Sequence, residues 1–367
     1  MKGCKISLTL LSVAVLSAIS ANVTAATYKT INVTETSPET TVVSDEETAV
    51  EATGYLSFTT GATKSVAIFQ TDKKIQLTGN KISISAPSIL DNQGKETGGV
   101  GIYQAGANAV AEIGNASSSV AISGSGPQGG MGVISNNGAR TVIDGLSIVI
   151  EANGTDNSDA LGIQSATGAT VVLGSSNTKT IDININGNED SIGLIALGEG
   201  KENPNNGGSI IITAEEFNLT TNGGFGIHAQ NSTQTADAPE GTASVIINAG
   251  RTTIKNTAED GLGLSAFSNG YMEVNGDLSV EAAHVIDVRG HSTTVINKEK
   301  TGVVTLKGDV VFETPNQSPD GNDYKSGDKV DAIVILNLTE GSSWTGRAYQ
   351  SFPVKNEESV RNFVSKG

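Results

Sequence analysis

Residues 287 to 291 read Asp-Val-Arg-Gly-His. On a strand, successive side chains alternate, so Asp287, Arg289 and His291 are expected to share one outward face. A carboxylate, a guanidinium and an imidazole at two-residue spacing are materials for acid–base chemistry. Such a set also needs a second carboxylate or a metal over the same face, and no neighbouring segment visibly supplies one. The row therefore reads as an ion pair on a solvated strand surface, with no catalytic role.

Other chemistry is sparse. His228 and His284 are the remaining histidines and stand alone in the sequence, which argues against a metal site. The acidic stretch SPDGNDYKSGD (318–328) lacks the ligand spacing of an EF-hand, and the GGxGxD calcium repeat is absent. Neither a GxSxG elbow nor a phosphate-binding loop is present. These readings assign no catalytic, metal or cofactor-binding residue and imply no cofactor.

The elements that would carry these residues follow from a repeat. An apolar-Gly-apolar unit centres on Gly101, Gly132, Gly162, Gly193, Gly226 and Gly263, at spacings of 31, 30, 31, 33 and 37 residues. Ala67 extends the series upstream by 34 residues and Asp287 downstream by 24. Within a unit, GGMGVIS, ARTVID and LSIVIEA alternate with period 2 and are closed by Asn and Gly turns. Three short strands thus make one unit. Like positions recur between units: Met131 and Val133 match Leu161 and Ile163, and Ile148 and Ile150 match Ile183 and Ile185. Stacking of like on like predicts parallel pairing between successive turns.

The predicted fold is all-β, a right-handed parallel β-helix (β-solenoid, pectin-lyase-like) of about nine turns with three strands each. At a rise of about 4.8 Å per turn it makes a rod of roughly 40 Å. Unbroken alternation with Val100 and Ile102 inward predicts that the glycines form an outward column free of side chains. That column either eases a bend or offers a flat face to a ligand.

Composition fits this reading. The chain has 367 residues with 44 glycines, 37% apolar residues and only 17% charged, so core material is sufficient. Lys2 and Lys5 precede a short apolar run from Ile6 to Ile19 and the small-residue site VTA, which predicts a secretory leader over 1–25 cut after Ala25 or Ala26. The single cysteine, Cys4, leaves with it, so the mature chain has no disulfide. Without Lys2 and Lys5 the 23 basic residues fall to 21 against 39 acidic ones, a net charge of −18. That balance argues against nucleic acid as a partner. No further segment has the length of a membrane helix, so direct insertion is not expected.

Residues 26–55, rich in Thr and Glu, are expected to form a cap or irregular first turn, since a solenoid end must be protected from edge pairing. The coil is expected over 56–346 and an incomplete tail over 347–367. Polar loops are expected at 199–208, 230–241 and 314–331.

The leader, the cysteine-free mature chain, the Gly-rich coil and the ending AIVILNLTEGSSWTG (332–346) together resemble the passenger domains of bacterial autotransporters, the pertactin-like group. The resemblance implies a Gram-negative origin and display at the cell surface or release outside it. It also implies an outer-membrane barrel beyond residue 367, or an orphan passenger without one. It points to an adhesin-like interaction protein whose partner is a host or bacterial surface protein or glycan. The alternative is a carbohydrate-active β-helix enzyme, a polysaccharide lyase or hydrolase, with carboxylates from adjacent turns converging on one groove.

Overall fold

The computed structural model describes residues 55 to 350, apart from 60–65, 88–97, 156–157, 199–205, 232–242, 291 and 314–331. It also describes short strands at Lys29–Asn32, Val42–Val43, Thr48–Glu51 and Arg361–Lys366. The chain is all-β. Every paired strand runs parallel to its partner one turn away, which makes a parallel β-helix. Among the described residues no helix is long and apolar enough to cross a membrane.

One turn shows the construction. Gly130–Asn136 is the first strand, Arg140–Asp144 the second and Ser147–Asn153 the third, after which Ala160–Ala166 begins the next turn. Between the first two strands, Asn137 (φ 55°) and Gly138 (φ 80°) take left-handed conformations that Asn and Gly tolerate best. Further along, the second and third strands fuse into Ser209–Thr221 and Ala243–Asn256. Gly270–Arg289 adds the following first strand as well. The corner still turns there, but its hydrogen bonds stay in the ladder, as Glu215 N–H to Thr178 O at 2.8 Å shows.

The interior is built from aliphatic ladders. Ile113, Ile143, Leu173, Ile212 and Ile247 stack in register on the second-strand side, all essentially without exposure. Burying one such side chain stabilises the coil by about 1.5–3 kcal/mol. In the first ladder Met131 pairs with Leu161 and Val133 with Ile163, as expected. In the third, Ile148 pairs with Ile181 and Ile150 with Ile183, two residues from the expected register but on the same face.

The glycine column exists, yet its direction differs from the expectation. A Cβ on Gly101 would lie 2.6 Å from Cγ2 of Ile122, a core residue, and 2.7 Å from the carbonyl oxygen of Gly132. Gly132, Gly162, Gly193 and Gly226 likewise each face the carbonyl of the next glycine, at 2.3–2.6 Å. The column is therefore inward. Alternation slips at this point: Gly101 and Ile102 both face the core, while Val100 is half-buried on the outer side. The first strand bends here, and an aliphatic side chain of the third strand fills the space that a side chain would need. Ile122, Ile150, Ile185, Leu219 and Val280 do this under Gly101, Gly132, Gly162, Gly193 and Gly263. The column ends at Val285, not Asp287, because Leu262 pairs with His284 and Leu264 with Ile286.

The outer faces differ in chemistry. In the first ladder the outward column runs Tyr103, Ile134, Gln164, Ile195, His228, and mixes apolar with polar side chains. In the third it runs Ser123, Glu151, Asn184, Thr220, Lys255, and is polar.

Candidate functional site

The outward column of the first ladder continues through a buried polar cluster. His228 pairs with Ser265, and Ser265 with Asp287. All three are outward by position yet buried, with exposures of 3%, 0% and 0%. His228 Nε2 lies 2.9 Å from Gln230 Oε1, which can only accept. Nε2 therefore carries the proton and Nδ1 is the acceptor. The Ser265 hydroxyl donates to Nδ1 across 2.7 Å, with the Ile227 carbonyl as a second acceptor at 3.1 Å. The imidazole packs against Phe225 and Phe267, both at 4.7 Å between ring centroids. Its pKa is pushed down to about 4, chiefly by burial, with the Gln230 bond opposing and the charge of Arg289 adding a smaller push downward.

A serine bonded to a neutral imidazole is the beginning of a nucleophile–base pair. The order of the column prevents its completion. A hydrolytic triad places the carboxylate behind the histidine, to orient it and to stabilise the imidazolium. Here Asp287 lies on the serine side, and the far imidazole nitrogen meets an amide. Ser265 itself is fully buried.

Asp287 and Arg289 do share a face, as their spacing implies, but the carboxylate is buried while the guanidinium stays about one-third exposed (34%). Asp287 is wholly buried, with Oδ1 at 3.6 Å from Arg289 Nε and Oδ2 at 3.9 Å from His284 Nδ1. The Arg289 guanidinium lies 4.0 Å over the Phe267 ring, a cation–π contact. The expectation of an exposed pair fails at Asp287, which Arg289 and His284 flank on the outer face. His291 and the cleavage residues Ala25 and Ala26 lie outside the described residues.

His284 was not foreseen beside Asp287. Val285 and Ile286 both turn inward, so residues three apart meet on the outer face. The signal was available, since Val285 occupies the position that glycine holds in earlier turns.

A second cluster sits on the second-strand side. Glu273 accepts from Lys298 Nζ at 2.8 Å, from Asn275 Nδ2 at 2.9 Å and from the Tyr271 hydroxyl. Burial pushes the Glu273 pKa up, but the bonds to Lys298, Tyr271 and Asn275 outweigh it and hold the carboxyl below its usual range. Burial, followed by the bond to Glu273, raises the pKa of Tyr271. The charges balance within the cluster. Among the described residues no three His, Cys, Asp or Glu side chains gather as a metal site would require.

The fold and its clusters define the class: a parallel β-helix with one mixed and one polar outer face. Comparison with protein-family models, curated proteins and solved structures finds no match to this chain.

Proposed function

We propose that this chain is an autotransporter passenger, exported and displayed at the surface of a Gram-negative bacterium as an adhesin-like interaction protein without catalysis. The observation that carries the reading is the continuous first ladder, parallel from Val66–Thr71 through every turn to Arg289. A rod with stacked, chemically distinct faces offers long surfaces for recognition. The burial of Ser265 and Asp287 favours recognition over chemistry. The partner is a surface protein or glycan of a host or another bacterium.

The test is to fuse the full chain to an outer-membrane barrel in a Gram-negative host. Antibody should label intact cells, and those cells should adhere to glycan-coated or epithelial surfaces more than barrel-only cells do. Display without any gain in adhesion would overturn the adhesin reading. Release of reducing or unsaturated sugar ends from a polysaccharide would install the lyase or hydrolase reading instead.

A further inference from the structure

The third strand of each turn ends at a corner, beyond which the chain enters the next first strand. There the strands Ser147–Asn153, Thr180–Asn186 and Ser209–Thr221 lie in register, with Asn153 beside Asn186 and Asn184 beside Thr220. Asn222 continues the column by donating Nδ2 to Asn186 Oδ1 at 2.9 Å, while its own Oδ1 accepts from Gly187 N–H at 3.0 Å. With Thr257 these groups line an open cleft of about 270 Å³, and Ile185 borders it from the core side.

No lining side chain is charged. The cleft is lined by four asparagine and three threonine side chains. Part of this set is explained by the coil itself, since the Asn186–Asn222 bond ties one rung to the next. Asn153, half-buried, and Asn184 and Thr220, both exposed, line the cleft outside that bond. They hold out amide donors, carbonyl acceptors and a hydroxyl. The rungs repeat at about 4.8 Å, so similar groups recur along the axis. A ligand that satisfies them carries many hydroxyls at regular intervals.

Charge narrows the ligand. The corner segments that follow these strands carry Asp159, Glu189, Asp190, Glu259 and Asp260, on a chain of net charge −16. Glu151 stands beside Asn184 and Lys255 beside Thr220 on the neighbouring rungs, so these two offset one another and the acidic corners set the sign of the field, which disfavours uronate and sialylated chains. The volume lies just below the ~300–1,000 Å³ of drug-sized pockets, so only a small part of a polymer is seated at once.

We propose that this cleft binds a neutral glycan chain, with Asn153, Asn184 and Thr220 hydrogen-bonding its hydroxyls. The proposal rests on the reading of the chain as an exposed interaction protein and names its ligand class and site. The purified full chain is titrated by calorimetry with a linear neutral β-glucan oligosaccharide and a mannan oligosaccharide, and with oligogalacturonate as the anionic control. The wild type should bind at least one neutral chain and not the control. The variant Asn153→Ala/Asn184→Ala/Thr220→Ala should bind at least tenfold more weakly, with its thermal transition unchanged. Asn184→Asp, nearly isosteric, gives a second measure and should also weaken binding. Failure of both neutral chains to bind overturns the proposal, as does preference for oligogalacturonate. Neutral-glycan binding that survives both variants overturns the cleft while leaving the adhesin reading intact.

Discussion

Replacing Gly162 by alanine puts one methyl group where there is no room for it. The new Cβ would lie 2.3 Å from the Gly193 carbonyl oxygen and 2.7 Å from Cδ1 of Ile185. The side chain can rotate, but the carbonyl belongs to the next rung, whose position is held by the Leu161–Ile192 and Ile163–Leu194 pairings on either side. Overpacking of this kind costs about 1–3 kcal/mol, and the immovable carbonyl places Gly162→Ala at the upper end. Near 2 °C per kcal/mol, the lower figure for a domain this long, the melting temperature should fall by about 6 °C. Gly263 differs, because its nearest obstacle is Cγ1 of Val280 at 2.6 Å and the Val285 carbonyl stands back at 3.0 Å. Val280→Ala should therefore rescue much of Gly263→Ala, whereas Ile185→Val should rescue little of Gly162→Ala. Urea denaturation followed by far-ultraviolet circular dichroism, arranged as two double-mutant cycles, measures both couplings. An outward strand glycine would behave oppositely, since alanine there gains about 0.5–1 kcal/mol. A neutral or stabilising Gly162→Ala would restore the outward column and refute the packing argument.

Two further predictions concern the polar cluster. The His228 pKa is lowered from 6.5 to about 4 in the folded chain, so the unfolded state binds the extra proton first. Stability is then full above pH 6.5, declines as pH falls towards about 4 and levels off below it, by a total on the order of 3 kcal/mol. His228→Gln should flatten that part of the stability profile measured by urea titration, and an unchanged slope would show that His228 is not the titrating group. Arg289→Met should cost about 1–3 kcal/mol in the wild type, since it removes a charged partner of a buried carboxylate, and less in an Asp287→Asn background. A coupling below about 0.5 kcal/mol in that cycle would mean that the two side chains do not stabilise one another.

The architecture was legible because period-2 segments and Asn-Gly turns recur at nearly constant spacing, and only stacking of like on like reconciles them. Register was legible where the sequence breaks its own monotony. In the first ladder a glycine marks each turn, so Met131 finds Leu161 without ambiguity. In the third ladder Ile181, Ile183 and Ile185 are spaced by two, and a slip of two residues keeps every side chain on its face. Hydrophobic pattern cannot choose between Ile181 and Ile183 as the partner of Ile148; the corner that starts the strand does so.

The direction of the glycines failed for a different reason. Strict alternation does not hold through a bend, where two consecutive residues such as Gly101 and Ile102 face the same side. The same slip governs the polar cluster. His228 and Ser265 each lie two residues after their column glycine, Gly226 and Gly263, and Asp287 lies two after Val285. With Val285 as the last member of the column, His228, Ser265 and Asp287 fall into one line from sequence alone. Their burial stays hidden. The exposure of an outward strand position depends on its neighbours in adjacent columns, here Phe225, Phe267 and Arg289, and not on the pattern along its own strand. On the polar third face Asn184 and Thr220 stay exposed at positions equally outward. Outward direction follows from local geometry; access to a ligand follows from what stands beside it.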